Sequence, residues 1–387
     1  MLPRTLKRRT LIPAVVGLAL AGAFAVGYRA SADSRETTRV AAAPRVVDQV
    51  RTALASRYYR PVPDSVLQLG SVRKIISALG DPYTTYLGPR AYKLVRQETA
   101  SSYNGIGVSV LPSAAGFVVV SLRDGPARRA GIHVGDTIVG IGGVPAERLT
   151  MARALAAILG PAGTRVHLEL LRGGRTIDVR IARESIAVPA VHARLISFAA
   201  RRWGVVRISS FRTGSTILLR REVRALERQG ANGLVLDLRD NPGGLLAQAV
   251  NVSSLFIDRG VVVTIAGAHQ PQRVLRAIPG IATSLPMVVL VDRYTASSAE
   301  IVAAALRDHQ RATIVGERTF GKALVQAVDP LDNGAALELT IAQYWTPSGE
   351  DLSGVGLAPQ IRAVDNPRTR QDEALALALQ VLARPTS

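Results

Sequence analysis

The sequence has no cysteine among its 387 residues. That absence removes in one step a disulfide framework, a thiolate nucleophile, a cysteine-bearing zinc site and an iron–sulfur cluster. Histidine is scarce as well: His133, His167, His192, His269 and His309 are the only five, and none forms the closely spaced pair that a helical metal site uses. Neither a metal centre nor a cofactor is therefore expected. Lysine is the third shortage, since 44 of the 48 basic residues are Arg and only Lys7, Lys74, Lys93 and Lys322 remain. The formal net charge is +19, but it is spread along the chain without a basic stripe interleaved with aromatics. Nucleic acid is thus not an expected partner, while some attraction to an anionic membrane surface is.

What is present bounds the architecture. A composition of 48% hydrophobic and 20% charged residues speaks against a disordered chain or a coiled coil, and the length fits two or three domains. At the start, Arg4, Lys7, Arg8 and Arg9 precede an uncharged apolar stretch from Thr10 to Tyr28, followed by the small residues Ala30-Ser31-Ala32. A positive segment, an apolar core and small residues are the pattern of an export signal, and the run is just long enough to span a bilayer. Residues 1–32 read as a signal peptide or an N-terminal membrane anchor, and either places the rest outside the cytoplasm, in a periplasm, in a cell envelope or secreted.

Residues 33–100 read as a linker and a helical lead-in: Val46, Val47, Val50 and Leu54 recur at helical spacing, Val66 to Leu79 is amphipathic, and Gly80-Asp81-Pro82 breaks the run. Short strand candidates follow in 101–184 (Gly107 to Leu111, Phe117 to Leu122, Ile138 to Ile141, Val166 to Leu171, Thr176 to Ile181), with one helix from Thr150 to Leu159. This is a small β-rich module. From 185 to 387 strands such as Val205 to Ile208, Leu234 to Leu238, Val261 to Ile265 and Met287 to Val291 alternate with helices, which implies an α/β core of buried, largely parallel strands. In such cores, sites collect where strands end and helices begin.

Two such junctions carry candidate chemistry. In Asp237-Leu238-Arg239-Asp240-Asn241-Pro242-Gly243-Gly244, paired glycines let backbone N–H groups approach a ligand, as in an oxyanion hole, or simply serve a tight turn. In Asp292-Arg293-Tyr294-Thr295-Ala296-Ser297-Ser298-Ala299-Glu300, Ser297 is a nucleophile if it has a base, and otherwise a helix N-cap. His309 and Asp308 lie about three turns further along the same helix, too far to serve. Lys322 is the better base, because Arg supplies charge equally well but stays protonated, whereas a desolvated Lys can accept a proton.

These residues, taken together, resemble the carboxy-terminal processing peptidases, tail-specific serine proteases of the S41 family with an embedded PDZ domain. The resemblance rests on an ordered series running roughly from Ser65 to Ala363. It begins with Gly80-Asp81-Pro82-Tyr83-Thr84-Thr85-Tyr86-Leu87 and the PDZ-like loop Tyr103-Asn104-Gly105-Ile106-Gly107-Val108. Gly125-Pro126-Ala127, Gly135-Asp136 and Gly160-Pro161-Ala162-Gly163-Thr164 continue it. The Asn-Pro-Gly-Gly turn, the serine region, Thr319-Phe320-Gly321-Lys322 and Gly354-Val355-Gly356-Leu357 complete it. The resemblance implies a ClpP/crotonase-like α/β serine protease core with an inserted β-rich PDZ domain and an N-terminal helical segment.

By position, the resemblance makes Ser297 the nucleophile, Lys322 its general base and Gln326 the residue that orients the lysine. The oxyanion hole falls to the N–H groups of Gly243 and Ser298. This sequence departs from the family's Ser-Ala-Ser-Ala-Ser-Glu pattern at Thr295, Ser298 and Ala299, so Ser298 stands beside Ser297 as a rival nucleophile; Ala323 replaces a frequent glycine. Backbone groups around Gly105, Ile106, Gly107 and Val108 would capture the C-terminus of protein or peptide substrates ending in apolar residues, although Ile106 and Val108 can equally be core residues. The function implied is an exported endopeptidase that cleaves or trims proteins from their C-terminal ends. The alternative is an inactive, membrane-tethered peptide-binding adaptor.

Overall fold

The computed structural model describes residues 43–99, 102–187, 190–366, 369 and 371–384. The expected signal or anchor at 1–32 and the start of the linker lie outside the described residues. Among the described residues, no helix is long and apolar enough to cross a membrane. They fall into two compact units, one of residues 43–99 with 190–384 and the other of 102–187.

The first unit is built on a six-stranded sheet. Val191–Phe198 pairs antiparallel with Arg201–Ile208, and Leu234–Asp237, Met287–Val291, Thr313–Gly316 and Ile361–Arg362 then follow in parallel. Its central strands are apolar at nearly every position because both faces are covered. Side-chain alternation decides which face each residue serves. Val206, Leu234, Leu236, Val289 and Val291 join the core beneath the helices Ser215–Arg228, Leu246–Ser253 and Ser298–Asp308. Val205, Val235, Val288 and Leu290 pack instead against Ala374, Leu375, Ala378 and Leu379 of the C-terminal helix Glu373–Ala383.

That last helix is tied to the sheet by charge as well. The buried Arg239 guanidinium donates to both oxygens of Asp237 (2.9 and 2.8 Å), to Asp365 (3.0 Å) and to both oxygens of Asp372 (2.8 and 3.0 Å). Asp372 caps the helix by accepting from Leu375 N at 2.9 Å. Burial works against ionisation of Asp237, but the adjoining guanidinium outweighs it and holds the carboxyl below its usual range.

The strand expected at Val261 to Ile265 is real, as Val261–Gly267, but it does not join the parallel sheet. It turns directly into Gln270–Arg276, and a connection that short permits only antiparallel pairing. It therefore belongs to a second, antiparallel sheet with Ala336–Trp345, Leu324–Pro330 and Thr85–Leu87. The lead-in packs on this sheet: Val46, Val50, Leu54, Tyr58 and Ile75 share a core with Leu331, Leu337 and Leu339.

The second unit has the five strands expected there, Val108–Ser113, Gly116–Leu122, Thr137–Ile141, Arg165–Arg172 and Arg175–Ala182, joined in that order into one sheet, with Val144–Pro145 paired to the third. Its helix Met151–Ile158 is capped by the Thr150 side chain, which accepts from Arg153 N. Ile106 is fully buried, and Val108 packs against the same core. These two side chains are thus structural, and Gly105 and Gly107 on either side of Ile106 are buried with it. The Ile106 carbonyl accepts from Ala127 N and the Gly107 carbonyl from Arg123 N, each at 2.9 Å. Val108–Ser113 is an edge strand, with one side of its backbone unpaired by the sheet.

Candidate active site

Ser297 sits immediately before the buried helix Ser298–Asp308, with φ 55° and ψ −119°. A non-glycine residue held in that region stores about 1–3 kcal/mol of strain, which persists only where the surroundings over-determine it. Here the surroundings are extensive. Ala296 N donates to the Asn241 carbonyl at 2.9 Å, Tyr344 OH to the Ser297 carbonyl at 3.2 Å, and Ser297 N to Glu300 Oε2 at 2.8 Å. Thr295, in the position of the family's first serine, is buried, and its hydroxyl lies 2.9 Å from the Leu238 carbonyl and 3.0 Å from Asp292.

The two adjacent serines are placed differently. The Ser298 hydroxyl is buried and donates to the Gly244 carbonyl at 2.9 Å. The Ser297 side chain is half-exposed. Both glycines of the preceding turn are required by close approach: a Cβ on Gly243 would lie 2.9 Å from Ser297 Cβ and 3.0 Å from Ser298 N, and one on Gly244 only 2.2 Å from the Phe211 carbonyl oxygen. The Gly243 N–H is held by Asn241 Oδ1 at 2.9 Å, and Asn241 is fixed in turn by donating to the Ile208 carbonyl. Of the two expected oxyanion donors, then, Gly243 touches the Ser297 turn with its N–H engaged, while Ser298 N lies at the first turn of a helix, where no intrahelical acceptor exists.

Glu300 connects this turn to the lysine. Its carboxylate is fully buried, and four groups donate to it: Ser297 N (2.8 Å) and Lys322 N (2.9 Å) to Oε2, and Thr319 Oγ1 (2.5 Å) and Gly321 N (2.8 Å) to Oε1. Burial raises its pKa and these donors pull it back. One carboxylate oxygen thus receives the backbone N–H of both Ser297 and Lys322.

The Lys322 ammonium donates to Gln326 Oε1, and Gln326 Nε2 donates to the Tyr83 carbonyl. Nζ also lies 5.0 Å from the centre of the Tyr83 ring. Desolvation lowers the lysine pKa, partly countered by the Glu338 and Asp81 carboxylates. The segment carrying Tyr83 is set by Asp81, which accepts from Tyr83 N (2.9 Å), Thr84 Oγ1 (2.7 Å), Thr340 Oγ1 (2.8 Å) and Tyr58 OH (3.2 Å). Among the described residues, no hydrogen bond joins Ser297 Oγ to Lys322 Nζ. His309 and Asp308 are engaged elsewhere, with the Val261 carbonyl and with Ser348 N.

Of the residues expected from the sequence, Gly243 and Ser298 lie against Ser297, and Gln326 accepts from Lys322, while Ser297 and Lys322 are linked through Glu300; the sequence reading did not include Glu300, Tyr83, Asp81 or Tyr344 in the site. Glu300 was detectable as an acid at the third position of a helix whose next six residues, Ile301 to Leu306, are all apolar. Tyr83 and Tyr344 carry no such signal, because they come from distant segments.

The model of peptidase family S41 matches residues 202–363, and that of the PDZ domain matches 117–172. The chain is 36% identical over 313 residues to the carboxy-terminal processing protease CtpA of Bacillus subtilis, covering 80% of this chain and 66% of that one. It is 34% identical over 306 residues to the carboxyl-terminal-processing protease of Synechocystis sp., covering 78% and 72%. It thus spans just under two thirds of the length of the first of these relatives. A solved photosystem II D1 C-terminal processing protease superposes with a TM-score of 0.55 at 29% identity, over 86% of this chain and 96% of the other.

Proposed function

The chain belongs to the carboxyl-terminal-processing proteases of peptidase family S41, and on that premise we propose that it is an exported serine endopeptidase working through a Ser297–Lys322 dyad. Neutral Lys322 takes the Ser297 hydroxyl proton, Oγ attacks a peptide carbonyl, and the proton passes to the leaving amine as the C–N bond breaks. Water then releases the acyl group by the same route. The observation that carries this reading is the shared Glu300 oxygen, which holds the backbones of nucleophile and base side by side. The desolvation that lowers the lysine pKa supports its role as base. For the first step, Nζ must come within reach of Ser297 Oγ, a side-chain motion away from or around Gln326.

The oxyanion would be met by the Ser298 N–H and, once it is released from Asn241, by the Gly243 N–H. The engaged hydroxyl of Ser298 favours Ser297 as the nucleophile. Substrate selection falls to the PDZ domain, whose edge strand Val108–Ser113 can accept a peptide as an added strand, the carboxylate lying by Gly105, Ile106 and Gly107. The exposed Leu155 on the neighbouring helix favours apolar C-terminal residues. Export rests on the charge pattern of residues 1–32.

The test is cleavage of an unfolded protein with an apolar C-terminus by the wild type and by Ser297→Ala, Ser298→Ala and Lys322→Ala. Cleavage should survive only in the wild type and in Ser298→Ala. Full activity of Ser297→Ala would sink the dyad, and an uncleaved but bound substrate with the wild type would favour the adaptor.

A further inference from the structure

A second group of chemically competent side chains lies in the unit of residues 102–187. The strands Arg165–Arg172 and Arg175–Ala182 form a hairpin in which Glu169 faces Asp178 and His167 faces Arg180. Alternation sends Val166, Leu168 and Leu170 into the core, so His167 and Glu169 share the opposite face. One ligating atom from each of His167, Glu169 and Asp178 falls within 4.8 Å of the others. His167 Nε2 and Asp178 Oδ1 are 2.8 Å apart and share a proton.

Glu169 has no hydrogen bond or ion pair with a described residue, in a chain with 44 arginines. Across from it on the third strand is Gly140, where a Cβ would lie 2.7 Å from the Glu169 carboxyl carbon. The missing side chain is what lets the carboxylate lie over the sheet. Arg180, opposite His167, and Arg165, two residues before that histidine, share this face with the two carboxylates, so the set of ligating atoms rather than a net negative charge would draw a cation here.

We propose that His167, Glu169 and Asp178 bind a divalent cation of the zinc class, with water completing the shell. One imidazole and two carboxylates are ligands that Zn²⁺ accepts, and the ion would replace the proton now shared by His167 and Asp178. Donors in a tetrahedral zinc site are about 3.4 Å apart, so the His167–Asp178 pair, at 2.8 Å, must open slightly while Glu169 closes on it, a small adjustment for partly exposed side chains. The scarcity of histidine pointed away from metal because it was judged by helical spacing. On a hairpin, the set is assembled by a step of two residues and a cross-strand partner. The role is to clamp the hairpin, separate from the protease chemistry.

The test uses the full chain, freed of metal by a chelator, titrated with Zn²⁺ by calorimetry and with Co²⁺ by visible absorption. One ion per chain should bind, with a zinc-dependent rise in Tm. His167→Ala and the exposed Asp178→Asn should each lose the binding and the Tm rise while keeping the circular dichroism of the metal-free wild type, and His269→Ala should lose neither. Absence of stoichiometric uptake by the wild type, or uptake unchanged in both His167→Ala and Asp178→Asn, overturns the site.

Discussion

Replacing Glu300 tests whether one buried carboxylate holds the Ser297 and Lys322 segments, the proposed nucleophile and base, together. In Glu300→Gln, the carbonyl oxygen can occupy the Oε2 position and keep Ser297 N and Lys322 N. The amide nitrogen then meets Thr319 Oγ1, which can turn and accept, and Gly321 N–H, which cannot. One buried donor is orphaned, at a cost of about 1–3 kcal/mol. In Glu300→Ala, the N–H groups of Ser297, Gly321 and Lys322 all lose their acceptor. At the same rate per group the loss is about 3–9 kcal/mol, comparable with the whole stability of a typical domain. Urea unfolding should place Glu300→Gln between wild type and Glu300→Ala. Cleavage should fall by about one to two orders of magnitude in the glutamine variant, if the strain is felt fully in the transition state, and be lost in the alanine variant. An alanine variant as stable and active as the glutamine one would refute the reasoning, because it would show that the segments hold their places unaided.

Other outcomes follow from charge. As the proposed base, Lys322 would have to lose its proton to act, so kcat/KM should rise with pH through its lowered pKa; Glu338→Gln removes a carboxylate that raises that pKa, and should move the acid limb to lower pH. A shift the other way would show that Glu338 acts otherwise. Burial and the nearby Asp240 push Asp292 up to about 6. The folded state therefore binds this proton more tightly than the unfolded chain, and the stabilisation, full at low pH, is lost as pH rises from about 4 through 6. The ceiling is about 3 kcal/mol, read as the difference in urea midpoints between pH 4 and pH 7 relative to Asp292→Asn. A difference of zero would remove Asp292 from the account. Arg239→Ala should cost up to about 3–5 kcal/mol by leaving the buried Asp237 with only the more distant Arg207 at 3.8 Å, and should speed hydrogen exchange in Glu373–Ala383; unaltered exchange there would mean that apolar packing alone docks the helix.

Sequence patterns revealed what is local. Alternation and glycine punctuation placed every strand of the PDZ sheet proper except the short Val144–Pro145, and the apolar runs Leu234–Asp237 and Met287–Val291 announced strands buried on both faces. What stayed hidden depends on pairing between distant segments. Val261–Gly267 looks like any buried strand, and only its hairpin partner assigns it to the antiparallel sheet. Leu324–Pro330, half-buried and carrying Gln and Asp, has no clear alternation, because it serves partly to aim Gln326. Lys322, the proposed base, stood out in the sequence by the rarity of lysine. The brace at Asp81 was not, since it gathers Tyr58, Thr84 and Thr340 from three parts of the chain.

That brace has a consequence for when the enzyme can first act. Gln326 takes its bearing from the Tyr83 carbonyl 243 positions earlier in the chain, and the whole PDZ domain is threaded between them. A polypeptide emerging from a ribosome or a translocation pore makes its local turns early, and contacts of such sequence separation late. The lysine cannot be oriented until the strand bearing Thr340 has returned to the lead-in. With the proposed Ser297–Lys322 dyad, cleavage would begin only after that strand is in place.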